Sequence, residues 1–174
     1  MKKFILEKMV TIEFYGLKSK YGKFSNFYKC NVTIDGKVWS TTEHFFQAQK
    51  FPDQPTVQEE IRQLTQPRDA ARQGRTQTGL RSDWEQVKDD VMRTALRAKF
   101  TQHEDLKELL LNTNNSKLVE ASPTDSYWGN AEKNGIKGKN MLGILLMEIR
   151  EELKNQKESE SNEVSKDDLN YQPN

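Results

Sequence analysis

The chain has 174 residues, 34% of them hydrophobic and 30% charged, with 27 Lys and Arg against 26 Asp and Glu. That length suits one domain able to bury a real core, and a formal charge of +1 disfavours a strongly basic nucleic-acid binder. The single cysteine, Cys30, excludes an internal disulfide, and no stretch approaches the roughly 18 apolar residues of a membrane span. A soluble protein of the cytoplasm or nucleus is expected.

Residues 1–9 read as an N-terminal extension, because Glu7 and Lys8 interrupt its brief likeness to a signal peptide. The domain proper is expected over residues 10–154. Residues 10–15 alternate as a short strand, and residues 30–34 and 37–40 flank Asp35-Gly36, a favoured hairpin dipeptide. Helical patterns then follow over residues 41–51, 56–66 and 67–74, the first stopped by Pro52 and the third opened by Pro67.

Ser82 with Glu85 reads as a capping box for the next helix. Its inward face combines Trp84, Val87, Val91, Ala95 and Ala98 with Leu96 and Phe100. Residues 103–112 form another helix, with Leu106, Leu109 and Leu110 inward. Residues 118–120 are extended, Pro123 and Asp125 build a turn, and a glycine-containing loop covers residues 129–138. The helix over residues 140–153 is apolar on more than one side, which predicts burial.

Residues 155–174 hold two lysines and five acids, a net of −3, and read as a disordered acidic tail. The remainder, with 25 basic and 21 acidic residues, carries +4. The fold class expected is mainly α within α+β: a compact helical domain with a small N-terminal β element and a buried C-terminal helix.

No glycine-rich phosphate loop, His-Glu-x-x-His or Cys/His cluster occurs, and His44 and His103 stand apart, so neither a metal site nor a cofactor is expected. Glu43, Gln47 and Lys50 fall at i, i+4 and i+7, which sets an acid, an amide and an amine along one helical face. The same residues also read as an ordinary helix in which Ser40 and Glu43 form a capping box and Lys50 offsets the dipole. Around Asp125, an acid, the aromatics Tyr127 and Trp128, and Gly129 gather in one loop suited to a flat ring or simply to a turn. Arg68, Arg72, Arg75 and Arg81 surround Gly74, either to meet phosphate or as a solvated basic face.

These segments together resemble the NADAR family. The matching stretches are Phe24-Ser25-Asn26-Phe27, Thr42-Glu43-His44-Phe45-Phe46-Gln47-Ala48-Gln49-Lys50-Phe51, Ala70-Ala71-Arg72-Gln73-Gly74-Arg75 and Trp84-Glu85-Gln86-Val87-Lys88. Lys99-Phe100, Leu118-Val119-Glu120, Asp125-Ser126-Tyr127-Trp128-Gly129 and Gly138-Lys139-Asn140-Met141-Leu142-Gly143 continue it in order. One departure is Ala131, where the family usually has glycine.

The resemblance implies hydrolysis of an N-glycosidic bond between ribose C1′ and an exocyclic amine of a heterocycle. Two substrate types go with it: ADP-ribose on guanine in DNA or RNA, and ribosylamino-pyrimidine phosphates of riboflavin synthesis. The absence of a companion riboflavin-synthesis domain in this sequence favours the first. A non-catalytic ADP-ribose or NAD-binding module is the alternative from another class.

The implied catalytic residues are Glu43, Lys50 and Asp125, with Lys50 as Schiff-base nucleophile and Glu43 moving protons. Direct water attack on an oxocarbenium-like centre is the other route. Trp84 and Trp128 are expected to stack on the heterocycle, and Asn26, Arg75 and Asn140 to contact phosphate or ribose. Ser25, Phe27, Arg72, Gly74 and Gly129 complete the expected substrate-binding set.

Overall fold

The computed structural model describes residues 10–167, with side chains described through residue 159. The expected extension over residues 1–9 therefore lies outside the described residues.

Strand β1, Thr11–Phe14, carries the buried Phe14 at its end. It pairs in parallel with β4, Lys117–Glu120, so that Phe14 stands opposite Glu120. A parallel pair cannot be closed by a tight turn, and most of the domain forms the crossover between these strands. Three of the four described strands are thus N-terminal, and the partner of β1 comes from later in the chain. Strands β2, Val32–Ile34, and β3, Lys37–Trp39, form the expected hairpin. Asp35 and Gly36 both take positive φ, 51° and 72°, as a two-residue turn of this hand requires.

Helix α1, Thr42–Ala48, is buried at every residue. Its cap is Thr41 rather than Ser40: Thr41 Oγ1 accepts the His44 backbone N–H, while the Ser40 hydroxyl faces the His44 ring. Helices α2, Pro55–Gln63, and α3, Pro67–Thr76, each begin at proline, whose missing N–H is no loss in a first turn.

Helix α4, Trp84–Gln102, starts without the expected capping box. Lys88 takes the Glu85 carboxylate at 2.5 Å, and Asp83, at the cap position, is held by Arg81 at 2.6 Å and 2.9 Å. Both acids are thereby drawn away from the orphan N–H groups. The inward face also shifts from the expected one. Met92 and Lys99 are buried with Trp84, Ala95, Leu96 and Phe100, whereas Val87, Val91 and Ala98 are half-buried.

Helix α5, Glu104–Leu111, turns Leu106 and Leu110 inward. Helix α6, Met141–Asp167, buries Leu142, Leu145, Leu146, Ile149 and Leu153. It does not end near Leu153 but continues to Asp167 through the segment read as a disordered tail, and residues 168–174 lie outside the described residues. Lys, Glu and Gln are good helix formers, and Lys154 bonds Glu151 one turn back at 2.9 Å, which favours continuing the helix past Leu153.

Two buried clusters result. One joins α4, α5 and α6 to Phe14, Phe24 and Leu118; the other joins the hairpin to α1, α2 and α3 through Trp39, Phe45, Phe51 and Ile61. Helix α1 lies between them, with Phe46 in the first and Phe45 in the second. A seven-residue helix clamped from both sides is a rigid wall for a site.

Candidate active site

A cleft of about 440 Å³ opens between α1, α3, the start of α4 and the loop after β4. On the α1 wall, Glu43 Oε1 accepts the Gln47 side-chain N–H at 2.8 Å. The helix ends at Ala48, so Lys50 sits in the following turn, its backbone N–H bonded to the Gln47 carbonyl at 3.3 Å. That turn keeps Lys50 on the Glu43 side. Its Nζ donates to the Gly74 carbonyl at 3.2 Å and lies 5.5 Å from the Trp84 ring and 5.9 Å from the Phe46 ring.

The opposite wall is the end of β4 and its loop. Ser122 Oγ accepts the Asp125 backbone N–H at 3.0 Å, and Asp125 Oδ1 accepts those of Tyr127 and Trp128, both at 2.8 Å. Asp125 thereby fixes the turn that presents Trp128. Phe46 meets Trp84 at 4.9 Å and Trp128 edge-on at 5.4 Å, which sets two indoles about one phenyl ring. Tyr127 donates to Asp89 at 2.9 Å and carries Lys88 Nζ 3.6 Å from its ring centroid.

Burial dominates the electrostatics. Glu43, 8% exposed, has its carboxyl pushed above the usual range by desolvation; the Gln47 N–H, Lys50 and Arg75 oppose that rise, and Asp125 adds to it. Desolvation likewise lowers the Lys50 ammonium, with Glu43 and Glu85 pulling it up and Arg75 pushing it down. An amine poised below its ordinary range beside a carboxyl poised above it is the pattern of a nucleophile and a proton carrier. Glu120 is pushed up to about 7 by burial, then by the Asp125 and Glu43 charges.

The structure brings Glu43, Lys50, Asp125, Ser25, Asn26, Phe27, Arg75, Trp84 and Trp128 together on this cleft. The other four expected residues stand behind or away from it. Arg72 points outward, its side chain 71% exposed and paired with Asp69 at 3.0 Å. Gly74 packs against α1, where an added Cβ would fall 1.9 Å from Gln47 Oε1, and it contributes its carbonyl to Lys50. At Gly129 a Cβ would meet the Ser122 side chain at 2.7 Å and the Asp125 carbonyl at 2.9 Å.

Asn140, with φ of 55°, spends its side chain on β4, accepting from the Glu120 N–H and donating to the Leu118 carbonyl, each at 2.8 Å. It fixes the strand that carries Glu120. Ala131, the departure from the family pattern, is buried and donates its N–H to the Asp125 carbonyl at 3.0 Å, so the loop closes there without glycine.

The expected site residues did not include Glu85, Lys88 or Glu120, all on the cleft; Gln47 and Tyr127, also there, belong to the helical face and the aromatic loop read from the sequence but were given no role. Each stands inside or beside a stretch that resembled the family, which was the available signal.

His44 is a packing residue: its ring bonds Thr41 Oγ1 at 2.7 Å and the Leu64 carbonyl at 3.0 Å. Among the described residues, no group of three His, Cys, Asp or Glu is placed to hold a metal, and no helix is long and apolar enough to cross a membrane.

The NADAR domain family model matches residues 13–154. The chain is 53% identical over 143 residues to "N-glycosidase YbiA" of Escherichia coli (strain K12), covering 82% of this chain and 88% of that protein. It is 44% identical over 150 residues to "N-glycosidase Npun_R5314" of Nostoc punctiforme, covering 84% and 94%. With "Riboflavin biosynthesis protein PYRR, chloroplastic" of Zea mays it shares 40% over 157 residues, which is 82% of this chain and 25% of the maize protein. The NMR structure of E. coli YbiA superposes with a TM-score of 0.78 at 50% identity, over 87% of this chain and 89% of that one.

Proposed function

The chain belongs to the NADAR domain family, and from that premise we propose that it is an N-glycosidase removing ADP-ribose from ADP-ribosylated guanine in DNA or RNA. The observation that carries the reading is the pairing of Lys50, its ammonium lowered by burial, with the buried Glu43 on one wall of an indole-lined cleft.

In the substrate, ribose C1′ is bonded to an exocyclic amine, and opening of the sugar ring makes that bond an imine. The neutral Lys50 amine adds to C1′, and Glu43 passes the proton of the attacking nitrogen to the guanine nitrogen, leaving a C1′ that carries both amines. Expulsion of the guanine amine leaves Lys50 as an iminium on C1′. Water adds, the carbinolamine collapses to the sugar aldehyde, and Lys50 returns as a free amine. One water is consumed for each bond broken. Trp84 and Trp128 hold the flat base, and Arg75, whose charge acts on both Glu43 and Lys50, suits the diphosphate.

One observation favours a second substrate: the maize relative is named for riboflavin biosynthesis, and ribosylamino-pyrimidine phosphates contain the same C1′–amine bond. The test is incubation of the protein with an oligonucleotide bearing ADP-ribosyl-guanine, and separately with a ribosylamino-pyrimidine phosphate. Release of free ADP-ribose that is lost in Glu43→Gln and Lys50→Met supports the proposal. Release from the pyrimidine alone favours the second reading. Binding without release, unchanged in both variants, would make the protein a binding module.

A further inference from the structure

Resting on the proposed N-glycosidase reading, one step lacks an owner: the proton that the departing guanine nitrogen takes when its bond to C1′ breaks. Four carboxyl groups, those of Glu43, Glu85, Glu120 and Asp125, line the same cleft, and the exposed Glu85 is paired with Lys88. Asp125 spends its Oδ1 on the loop, accepting the N–H groups of Tyr127 and Trp128. Glu43 is held by the Gln47 amide and lies on the Lys50 wall. The Glu120 carboxyl, at the end of β4, receives no hydrogen bond from any described residue, although its backbone is fixed on both sides. Its N–H bonds Asn140 Oδ1 at 2.8 Å and its carbonyl accepts from Asn130 at 2.9 Å. A carboxyl in a half-buried place with no donor aimed at it is most stable carrying its own proton.

The geometry points to Glu120 as the general acid of this reaction, the group that delivers a proton to the departing exocyclic nitrogen while Glu43 serves Lys50. The C1′–N electron pair goes to the guanine nitrogen together with the Glu120 proton, and Lys50 is left as an iminium. The Glu120 carboxylate then takes a proton from the water that adds to C1′. Glu43 moves the hydroxyl proton of the carbinolamine to the Lys50 nitrogen as that bond breaks. Both carboxyls finish as they began.

The charged groups facing this cleft are Glu43 and Lys50 from α1 and its turn, Arg75 from α3, Glu85 and Lys88 from α4, and Asp125 from the loop. Lys88 is taken by Glu85, so Lys50 and Arg75 are the cations left to face three carboxyls. Burial and the neighbouring Asp125 and Glu43 charges hold the Glu120 proton on until about pH 7, where a general acid works best in neutral solution.

The test uses Glu120→Gln, which keeps shape and removes the titrating proton. With whichever N-glycoside the wild type cleaves, kcat should fall about 100-fold with KM within about threefold. The alkaline fall of kcat/KM near pH 7 should disappear, and an electron-poor amine that leaves without protonation should lose less than about tenfold. Unchanged turnover and an unchanged alkaline limb in that variant would overturn the assignment.

Infrared spectra of the free protein supply a readout that needs neither substrate nor a healthy variant enzyme. A protonated carboxyl band that titrates near pH 7, is present in the wild type and Glu120→Asp and is missing in Glu120→Gln, supports the assignment. A wild type with no such band at pH 6 overturns it. A wild type that releases sugar from neither N-glycoside overturns the reading of function, and the infrared titration still decides whether Glu120 holds the proton.

Discussion

Lys99 offers a prediction whose size follows from the structure. It lies on α4 with no exposed surface; its Nζ donates to the Ser25 carbonyl at 2.9 Å and lies 5.5 Å from the Tyr28 and Phe100 rings. Burial lowers its ammonium from 10.5 to about 8. Below pH 8 both folded and unfolded chains hold the proton, and the fold carries the full cost of a buried charge. Between pH 8 and 10.5 only the unfolded chain holds it, so stability rises with pH, and above 10.5 the cost is gone. At about 1.4 kcal/mol per pH unit that difference amounts to about 3 kcal/mol, or roughly 6–12 °C in melting temperature for a chain of this size.

The perturbation is Lys99→Met, which preserves the packed stem and cannot titrate. Its loss of the Ser25 bond is a constant offset of about 1–3 kcal/mol, independent of pH. Thermal melts of both proteins at intervals from pH 7 to 10.5 should show the wild type gaining about 3 kcal/mol relative to the variant. Taking the difference between the two proteins removes common groups that do not feel Lys99, among them Tyr127, raised to about 12, and Lys50, and a Cys30→Ser background removes the one thiol that does. Parallel stability curves would refute the argument, because they would mean that Lys99 keeps its ordinary affinity for protons in the folded protein.

Gly74→Ala should cost about 1–3 kcal/mol, because the new methyl would lie 1.9 Å from Gln47 Oε1 and 3.0 Å from Gln47 Cβ. Adding Gln47→Ala to that variant should recover most of the loss in a thermal melt. Asn140→Ala removes two 2.8 Å bonds and forces alanine to φ of 55°, at a cost of about 2–4 kcal/mol; Asn140→Gly should return about 1 kcal/mol of it, measured by urea unfolding. Glu43→Gln withdraws a charge that raises the Lys50 ammonium, so the pH at which Lys50 reacts with an amine-selective reagent should move down, even though turnover is lost.

Much of this fold is legible from periodicity and turn chemistry. Asp35-Gly36 fixes the hairpin, Pro55 and Pro67 open two helices, and the apolar run from Leu142 to Leu153 marks the buried helix. Caps were less legible, because Asp83 and Glu85 had basic neighbours, Arg81 and Lys88, that bind them instead of leaving them to the helix end.

Within the site, the spacing of Glu43 and Lys50 suggested a shared face but also fitted an ordinary capped helix, and the family resemblance singled them out; the turn after Ala48 keeps both on the cleft. Asn140 and Gly74 belong to other stretches that resemble the family but serve backbone and packing, and residue type does not tell a ligand contact from a bond to a strand. Glu120 and Lys99 escaped for a common reason. A charged residue ending a short strand, or following an apolar helix face, reads as solvated until the partner element that buries it is in place.

The central claim is covalent attachment of the sugar to Lys50. Reaction of the protein with an ADP-ribosyl-guanine oligonucleotide in the presence of borohydride, followed by peptide mass spectrometry, tests it directly. The account predicts a reduced ADP-ribosyl adduct on the peptide containing Lys50, absent when Lys50→Met is used. Free ADP-ribose released at the wild-type rate from borohydride-treated protein, with Lys50 unmodified, would contradict it and assign the bond cleavage to direct attack by water.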